Sequence, residues 1–419
     1  MTSELRAATG VADITPSRPI RMAGFAARKG MSQGVYQSLF VKALVLEDDD
    51  HRVALVCADL CSWGNDHVQL MRQRLADECG LAADQLILNV SHTHCGPSTR
   101  DADYAGEVVA KTVDLVKTCL TKTKPVRLFV GKGRAAISVN RRRKSKDGEV
   151  LWGVNPYGPV DHEVTVVKAV DSEGQISAVI TNYACHPSTI GGYLIGGDYV
   201  GFSNQFIEQE LPGTTALFVQ GAGGDLKPYH VKANDPLVFE YEGGPPRPRA
   251  FGRQLADAVL NVLAHPMQEI TGPLRSGLEV VHLPLMEDFL PDEDQTLFQG
   301  RKRRAARLAQ LMLASIDEAG EYKRTQPCEV LVVRIGPEFI LVGLNGEVCV
   351  RIGLRTKAQL VPNPVMFAGY TGILIGYVPS ADMIPEKGYE AGSQYTLPYS
   401  LEAEDFLVDR VMEIVNGLE

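Results

Sequence analysis

The chain alternates between short apolar runs and longer amphipathic stretches across most of its 419 residues. Runs rich in valine, isoleucine and leucine predict strands, and stretches with apolar residues three or four positions apart predict helices. The predicted strands cover residues 42–46, 53–58, 85–90, 126–130, 164–170, 178–183, 216–219, 329–335 and 339–344. The predicted helices cover residues 66–78, 104–120, 249–263 and 401–415, with one or two more within 292–323. Because the two kinds of element alternate, the pattern predicts an α/β fold.

One stretch interrupts this alternation, namely Gly243-Gly244-Pro245-Pro246-Arg247-Pro248. Its composition is typical of a linker between domains and equally of a surface loop within one domain. Residues 1–270 and 271–419 are therefore candidate sub-regions. Candidate chemical groups occur on both sides of the break, so we expect residues 1–419 to form a single catalytic domain.

The charge and the termini narrow the classes of partner. A formal net charge of -9 argues against nucleic acid as the main ligand. The basic cluster Arg141-Arg142-Arg143-Lys144 is predicted to be a local feature of a loop. The sequence shows neither a signal peptide nor an apolar stretch of the length of a membrane span, so we expect a cytoplasmic protein without a transmembrane segment.

The eight cysteines form no Cys-x-x-Cys pair, and several lie within apolar segments. They are predicted to be buried free thiols in a reducing compartment. Cys95 and Cys185 each adjoin a histidine, so either thiol is a candidate to line a site.

The most informative motif is Ser91-His92-Thr93-His94, which follows the apolar run 86–90. Side chains alternate along a strand, so His92 and His94 are expected to project from one face. Two imidazoles in that position can share a metal ion, or divide metal binding from proton transfer. The alternative is that both only form hydrogen bonds in a polar pocket.

Other polar motifs also follow predicted strands. His186 comes after residues 178–183, Asp225 lies in a glycine-rich loop after 216–219, and Glu347 follows 339–344. Open α/β sheets bind ligands at such strand ends, so these loops are predicted to share one rim. Taken singly, each residue also has a structural explanation, such as a turn for Asp225 or a solvated carboxylate for Glu347.

Together these motifs resemble the neutral/alkaline non-lysosomal ceramidase family over nearly the whole chain. The resemblance implies a ceramidase-like catalytic domain of layered mixed β-sheets flanked by helices. It also implies one zinc ion per chain, held by His92, His186, Glu347 and Tyr377. The motifs that carry the resemblance are Gly10-Val11-Ala12-Asp13-Ile14-Thr15-Pro16, Met22-Ala23-Gly24-Phe25, Ser91-His92-Thr93-His94-Cys95-Gly96-Pro97, Asn140-Arg141, Cys185-His186-Pro187-Ser188, Gly197-Asp198, Gly224-Asp225, Gly346-Glu347, Gly376-Tyr377 and Gly388-Tyr389-Glu390.

The same resemblance suggests roles around the metal. Asp225 is expected to act as general base, and His94 to orient water or stabilise the oxyanion. Arg141 and Tyr389 match positions that bind substrate or steady developing charge. The alternative for Arg141 is a place in a solvated basic run.

Two aspartates are candidates for supporting roles. Asp59 is a candidate partner for a ligating histidine. Asp198 is a second candidate partner for a ligating histidine, and the alternative is that it caps a helix that begins near Gly201.

The chain also departs from the family pattern. Lys227 occupies a position where these ceramidases carry serine, in Gly224-Asp225-Leu226-Lys227-Pro228. A cation there can bind a carboxylate or phosphate of the substrate, unless it points outward. An immunoglobulin-like domain and an export signal are expected to be absent.

The leading interpretation is a zinc-dependent hydrolase that cleaves a C–N amide bond of an N-acyl or related small molecule. A zinc-dependent esterase or lactonase on the same site stays open, because metal-activated water attacks both kinds of bond. A non-catalytic metal-binding homologue and a phosphohydrolase are less favoured. The expected partner is a small-molecule amide or ester, and a homo-oligomer stays open as an alternative to a monomer.

Overall fold

The structure is a computed structural model that describes residues 4–286, 323–392 and 396–418. The predicted helical segment 292–323 lies outside the described residues, except for its last position. None of the described helices is long and apolar enough to cross a membrane.

A mixed sheet dominates the first part of the chain. Its order is β12-β10-β9-β6-β1-β3-β4-β5, with β16 paired to β6. Strands β4 and β5 run parallel, as do β10 and β12. These strands are β1 (Arg6–Asp13), β3 (Phe40–Glu47), β4 (Arg52–Ala58), β5 (Leu86–Val90), β6 (Lys124–Arg134), β9 (Glu163–Asp171), β10 (Ile176–Tyr183), β12 (Thr215–Gln220) and β16 (Gln268–Ile270).

A second sheet has the order β17-β18-β19-β21, and its last pair is parallel. Smaller sheets pair β13-β7-β8, β20-β22, β11-β2 and β14-β15. Their strands are β2 (Gly34–Val35), β7 (Ser138–Lys144), β8 (Val150–Asn155), β11 (Leu194–Ile195), β13 (Leu226–Pro228), β14 (Val231–Lys232), β15 (Asp235–Phe239), β17 (Leu274–Pro284), β18 (Thr325–Ile335), β19 (Phe339–Leu344), β20 (Glu347–Val348), β21 (Val365–Ala368) and β22 (Tyr377–Val378).

Helices cover the outer faces of the two large sheets. In the first sheet, one half packs on α1 and α2 and the other half on α3 and α4. The second sheet packs on α5 and α8. The helices are α1 (Asn65–Cys79), α2 (Ala102–Leu120), α3 (Asp198–Glu210), α4 (Pro246–Leu263), α5 (Val350–Gln359), α6 (Met383–Glu386), α7 (Tyr389–Gly392) and α8 (Ala403–Gly417).

The inner faces of the two sheets form a shared core. In β4, Leu55 points towards Leu331 and Leu341 of the second sheet, whereas Val56 faces the helices. Because both faces are covered, such strands are almost continuously apolar, and this is why they were recognisable in the sequence. The predicted layered α/β architecture is confirmed, and the shared core draws on both candidate sub-regions.

Three local predictions need correction. The basic cluster at residues 141–144 lies on β7 rather than in a loop. The predicted helix near Gly201 begins at Asp198. The break at residues 243–248 consists of a short loop and, from Pro246, the first residues of α4, which packs against α3.

Candidate functional site

Several strand ends converge at one edge of the two-sheet core. His92 follows β5, His186 follows β10, and Glu347 follows β19. Tyr377 pairs in register with Glu347 across β20 and β22. The shared rim predicted from the sequence is therefore present.

Two buried asparagines join the strand ends beneath this rim. The Asn89 side chain donates to the Gly369 carbonyl at 2.6 Å and accepts from the backbone N–H of Gln220 at 2.9 Å. The Asn182 amide donates to the carbonyls of Val219 and Phe367, both at 2.9 Å. Since these bonds link strands of both large sheets, the loops above them are held in fixed relative positions.

A cluster of potential metal ligands lies in these loops. Oε2 of Glu347 is 3.2 Å from Nε2 of His186 and 3.5 Å from Nε2 of His92. One ligand atom from each of these three residues lies within 4.8 Å of the others. All three residues are buried.

The ring orientation of the two histidines is determined by backbone carbonyls. Nδ1 of His92 donates to the carbonyl of Cys61, and Nδ1 of His186 to that of Gly223, each at 2.6 Å. A carbonyl can only accept, so both Nδ1 atoms carry the proton and both Nε2 atoms are free to act as ligands. A cation between these Nε2 atoms and the Glu347 carboxylate satisfies all three, so the residues present fit a divalent metal.

The pKa values of the cluster also favour a bound metal ion. Burial opposes ionisation of Glu347, but His92, His186 and the Tyr377 hydroxyl hold its pKa at about 2. Burial opposes protonation of His92, yet Cys61 and Glu347 raise its pKa to about 9. Burial lowers the pKa of His186 to about 4. A carboxylate and a protonated imidazole therefore face each other, and a metal ion can replace that proton.

A second group comprises Cys61, His92 and His94, which also offer one ligand atom each within 4.8 Å of the others. Its thiol lies 3.8 Å from Nδ1 of His92. That nitrogen carries the proton that it donates to the Cys61 carbonyl, so it has no lone pair for a metal. The group containing Glu347 is the better metal site.

His94 lies beside the cluster, although not for the predicted reason. β5 ends at Val90, and His92 has a left-handed backbone with φ of 63°. The two imidazoles meet through this loop, with their Nε2 atoms 3.2 Å apart, and not through strand alternation. Burial, His92 and His186 hold the pKa of His94 well below its usual range.

Gly24 allows the backbone to pass directly over His94. A Cβ atom at Gly24 would lie 2.5 Å from Cγ of His94, and the φ of this glycine is 91°. Any side chain here would both strain the backbone and displace the imidazole.

Arg141 is linked to the cluster through Tyr377. Its guanidinium donates to the Tyr377 hydroxyl at 3.1 Å and to Glu390 at 2.7 Å, and it stacks over Trp152. Arg142 donates to the other oxygen of Glu390 at 2.8 Å. Both arginines are buried, so the alternative of a solvated basic run is wrong.

Tyr389 belongs to a series of aromatic rings that we call the aromatic collar, formed by Phe25, Tyr241, Trp152, Tyr389 and Tyr377. Phe25 contacts His94, with ring centroids 5.0 Å apart. From there the contacts run through Tyr241, the Trp152 indole N–H and Tyr389 to Tyr377. The collar therefore lines the site from His94 to the candidate ligand Tyr377.

Asp225 is buried but is not brought into contact with the candidate ligands. Its carboxylate accepts from the Asn140 side chain at 2.8 Å and from the backbone of Val350, the first residue of α5, at 2.7 Å. Burial raises its pKa to about 6. These contacts indicate a positioning role, and the predicted role as base has no direct geometric support.

Lys227 does not point outward. Its side chain is fully buried, so this predicted alternative is wrong. Asp59 does not support a ligating histidine, because its carboxylate accepts from the Phe40 backbone at 3.0 Å. Asp198 accepts from both the backbone and hydroxyl of Thr189, in the loop that follows His186.

All eight cysteines are free, and Cys95 and Cys185 are buried. The Sγ atoms of Cys95 and Cys185 contact backbone carbonyls of Ile190 and His186. Burial raises the pKa of Cys95 to about 12. These thiols are therefore packing groups and not nucleophiles.

Sequence reasoning missed several residues of the site. Tyr370 has a φ of 57°, and its ring lies 4.6 Å from that of His92. Glu390, which pairs with two arginines, and Trp152 were also not selected. Gly369, which precedes Tyr370, and the motif Gly388-Tyr389-Glu390 were the sequence signals that could have identified Tyr370 and Glu390. No local pattern marked Trp152, since it is recruited by strand pairing with Arg142.

Comparisons with known proteins show which family the chain belongs to. Residues 6–234 match the family model described as neutral/alkaline non-lysosomal ceramidase, N-terminal. The neutral ceramidase of Pseudomonas aeruginosa is 24% identical over 69% of this chain and 47% of its own length. That of Mycobacterium tuberculosis is 24% identical over 92% of this chain and 73% of its own.

The fold is also similar to a solved structure. The crystal structure of the P. aeruginosa neutral ceramidase matches with a TM-score of 0.79 and 20% identity, covering 100% of this chain and 75% of that one. This chain spans about half the length of the P. aeruginosa and Drosophila relatives in the sequence comparisons. The family match nevertheless extends over more than half of the 419 residues and includes His92, His186, Arg141 and Asp225. The chain therefore belongs to the neutral/alkaline non-lysosomal ceramidase family.

Proposed function

We propose that this chain is a zinc-dependent hydrolase that cleaves the C–N amide bond of an N-acyl or related small molecule. The observation that carries the proposal is the pair of histidines whose Nδ1 atoms are bound by backbone carbonyls, leaving both Nε2 atoms facing Glu347. The family relatives are named neutral ceramidases, which supports a hydrolase of an amide bond.

His92, His186 and Glu347 would hold the metal, and Tyr377 is the proposed fourth ligand. Imidazole and carboxylate groups are usual zinc ligands. When bound, such a metal lowers the pKa of a coordinated water and polarises the substrate carbonyl. Other divalent ions accept similar ligands, so zinc is proposed on the chemistry of the donors.

The residues of the chain itself supply the remaining functions. His94 stays neutral near pH 7 because burial and its neighbours lower its pKa, so its imidazole can accept or donate a proton beside His92. Arg141 holds the Tyr377 hydroxyl in place and presents a fixed positive charge at the site. The aromatic collar provides apolar surface between His94 and Tyr377 that a substrate can contact.

Asp225 acts, in this proposal, through Asn140 and the start of α5. Both of its oxygens already accept hydrogen bonds. Asp225→Asn keeps an acceptor for Val350, so it should reduce turnover less than His94→Ala. A larger loss with Asp225→Asn would restore the predicted role of Asp225 as base.

The test is a screen of N-acyl amides, matched esters and lactones, with and without a zinc chelator. Amide cleavage should disappear on chelation and return on adding zinc. His94→Ala should lower kcat by about a hundredfold or more. His265→Ala, an exposed histidine after α4, is the matched control and should leave kcat unchanged. Cleavage of esters or lactones alone would contradict the amide assignment, and chelator-resistant cleavage would contradict the metal.

A further inference from the structure

Lys227 and Arg141 lie on adjacent strands of a small sheet. β13 pairs with β7 so that Lys227 lies opposite Val139, two residues before Arg141. Arg141 stacks over Trp152, whose indole donates to the Tyr241 hydroxyl, and the Tyr241 ring covers the Lys227 ammonium. Both basic side chains therefore contact the same series of aromatic rings, and both are buried.

The Lys227 ammonium lies in a pocket with one polar wall and one aromatic wall. It donates to the carbonyl of Ser188 and lies 3.4 Å from the hydroxyl of the same residue. The ring centroids of Tyr241 and Phe239 are 4.5 and 5.3 Å away. These groups stabilise a cation, but none of them carries a negative charge.

No acidic residue in the described part of the chain forms a salt bridge with Lys227. Asp198 is the carboxylate that most favours its charged form. Its oxygens accept hydrogen bonds from Thr189 and Tyr199 at 2.6 to 2.9 Å, so it acts on Lys227 from a distance and not as a direct partner. Burying an ammonium without a carboxylate in direct contact is costly, so the position is suited to a group that arrives with the substrate.

The pocket adjoins the site already described. Tyr241, which covers the ammonium, belongs to the aromatic collar and contacts Phe25, whose ring packs on His94. Lys227 is also one of the charges that lower the pKa of His94. A ligand bound among the collar rings would therefore be close to both Lys227 and the candidate metal ligands.

We propose that Lys227 forms a carboxylate-binding subsite, and that the amide substrate carries one carboxylate that pairs with it. The inference rests on the proposed hydrolase function, whose substrate class it narrows. One ammonium without a directly paired carboxylate matches a monoanion, because Arg141 is already paired with Glu390. A charge-assisted bond in a desolvated pocket gives strong selection against neutral analogues.

The test compares matched substrates that differ only in the carboxylate. N-lauroylglycine and its neutral amide, N-lauroylglycinamide, place the difference in the amine half. Glutaric monoanilide and valeranilide place it in the acyl half. The wild-type protein should prefer the carboxylated member of at least one pair, as measured by kcat/KM. Lys227→Met should reduce that preference by about 10- to 100-fold, the range for a lost hydrogen bond to a charged group.

Two control variants make the result specific. Lys227→Arg keeps the charge and should retain part of the preference. Lys168→Met removes a lysine that lies 5.3 Å from the Phe129 ring, a distance like that of Lys227 from Phe239, and should change nothing. Equal losses on both members of each pair in Lys227→Met, or no preference in the wild type, would overturn the proposal.

A binding measurement separates this proposal from the hydrolase proposal. The ketone analogue of N-lauroylglycine, with a methylene in place of the amide nitrogen, cannot be hydrolysed. If the preference lies in the amine half, this ketone should bind the metal-loaded protein more tightly than its own uncharged carboxamide in calorimetry, and if it lies in the acyl half, the corresponding ketone of glutaric monoanilide should bind more tightly than that of valeranilide. In either case Lys227→Met should remove the difference. Lys227-dependent binding without any amide cleavage would support the carboxylate subsite and contradict the hydrolase proposal. Amide cleavage without a carboxylate preference would support the hydrolase proposal and contradict the subsite.

Discussion

Arg141 and Lys227 are two buried basic side chains on adjacent strands of one small sheet, yet their surroundings differ. Arg141 donates to Glu390 and to the Tyr377 hydroxyl and stacks on Trp152. Lys227 has a carbonyl, a hydroxyl and two aromatic rings around it, and no carboxylate in salt-bridge contact within the described chain.

The difference teaches that burial of a charge has two distinct meanings in this site. The Arg141 group is complete without a ligand, because its charge is balanced by Glu390. The Lys227 ammonium has no carboxylate in direct contact among the described residues. Arg141 is therefore expected to support any substrate of the site, whereas Lys227 is expected to select among substrates.

The largest effect should follow from breaking the complete group. Glu390→Gln leaves Arg141 and Arg142 as buried cations without a counterion between them, so the free energy of unfolding should fall by about 3–5 kcal/mol. Denaturation in urea measures this change. Glu386→Gln removes a partly exposed partner of Arg142 and should cost less than about 1 kcal/mol. Equal costs for the two variants would contradict the distinction.

The incomplete group should respond in the opposite direction. Lys227→Met removes a buried ammonium and keeps an apolar side chain of similar length, so we expect the free energy of unfolding to rise by about 1 kcal/mol. Arg141→Met should lower it by about 3 kcal/mol, because Glu390 then loses a partner. The same urea experiment compares the two variants. If Lys227→Met destabilises the fold as much as Arg141→Met, the lysine is a structural residue.

A smaller effect should appear in the pH dependence of substrate preference. Burial lowers the pKa of Lys227 to about 8, with Asp198 and Cys185 favouring its charged form and Arg141 opposing it. The ammonium is charged below that pKa, so the carboxylate preference should be full near pH 6 and decline as pH rises through about 8. The ratio of kcat/KM for a carboxylated and a neutral substrate measures this, because ionisations shared by both substrates cancel.

Lys227→Arg provides the control for the pH profile. A guanidinium keeps its charge throughout this range, so the ratio should stay constant up to pH 10. A constant ratio in the wild type would show that Lys227 does not bind the carboxylate.

Much of the fold could be predicted from the sequence, because strands with both faces covered leave continuous apolar runs. β4, β10 and β19 were found in this way. β7 was not, since its arginines are buried by partners that lie far away in the sequence, chiefly Glu390. A pattern of hydrophobic residues cannot report a polar strand whose burial depends on tertiary ion pairs.

The candidate site was predictable in composition but not in arrangement. His92, His186 and Glu347 were selected and do lie together. The left-handed backbone at His92 and the carbonyls that orient both imidazoles were not foreseeable, because they depend on loop geometry. The burial of Lys227 was likewise decided by strand pairing and the Tyr241 and Phe239 rings.

The most direct measurement of the proposed metal centre is the metal content of the purified protein, determined by mass spectrometry after incubation with zinc and removal of the excess. The wild type and Lys227→Ser should each contain about one zinc per chain, since Lys227 is not a ligand. His186→Ala should lose it, because its imidazole supplies one of the Nε2 atoms that face Glu347. Zinc retained by His186→Ala at the wild-type level, or a wild-type protein that binds none, would contradict the proposed site.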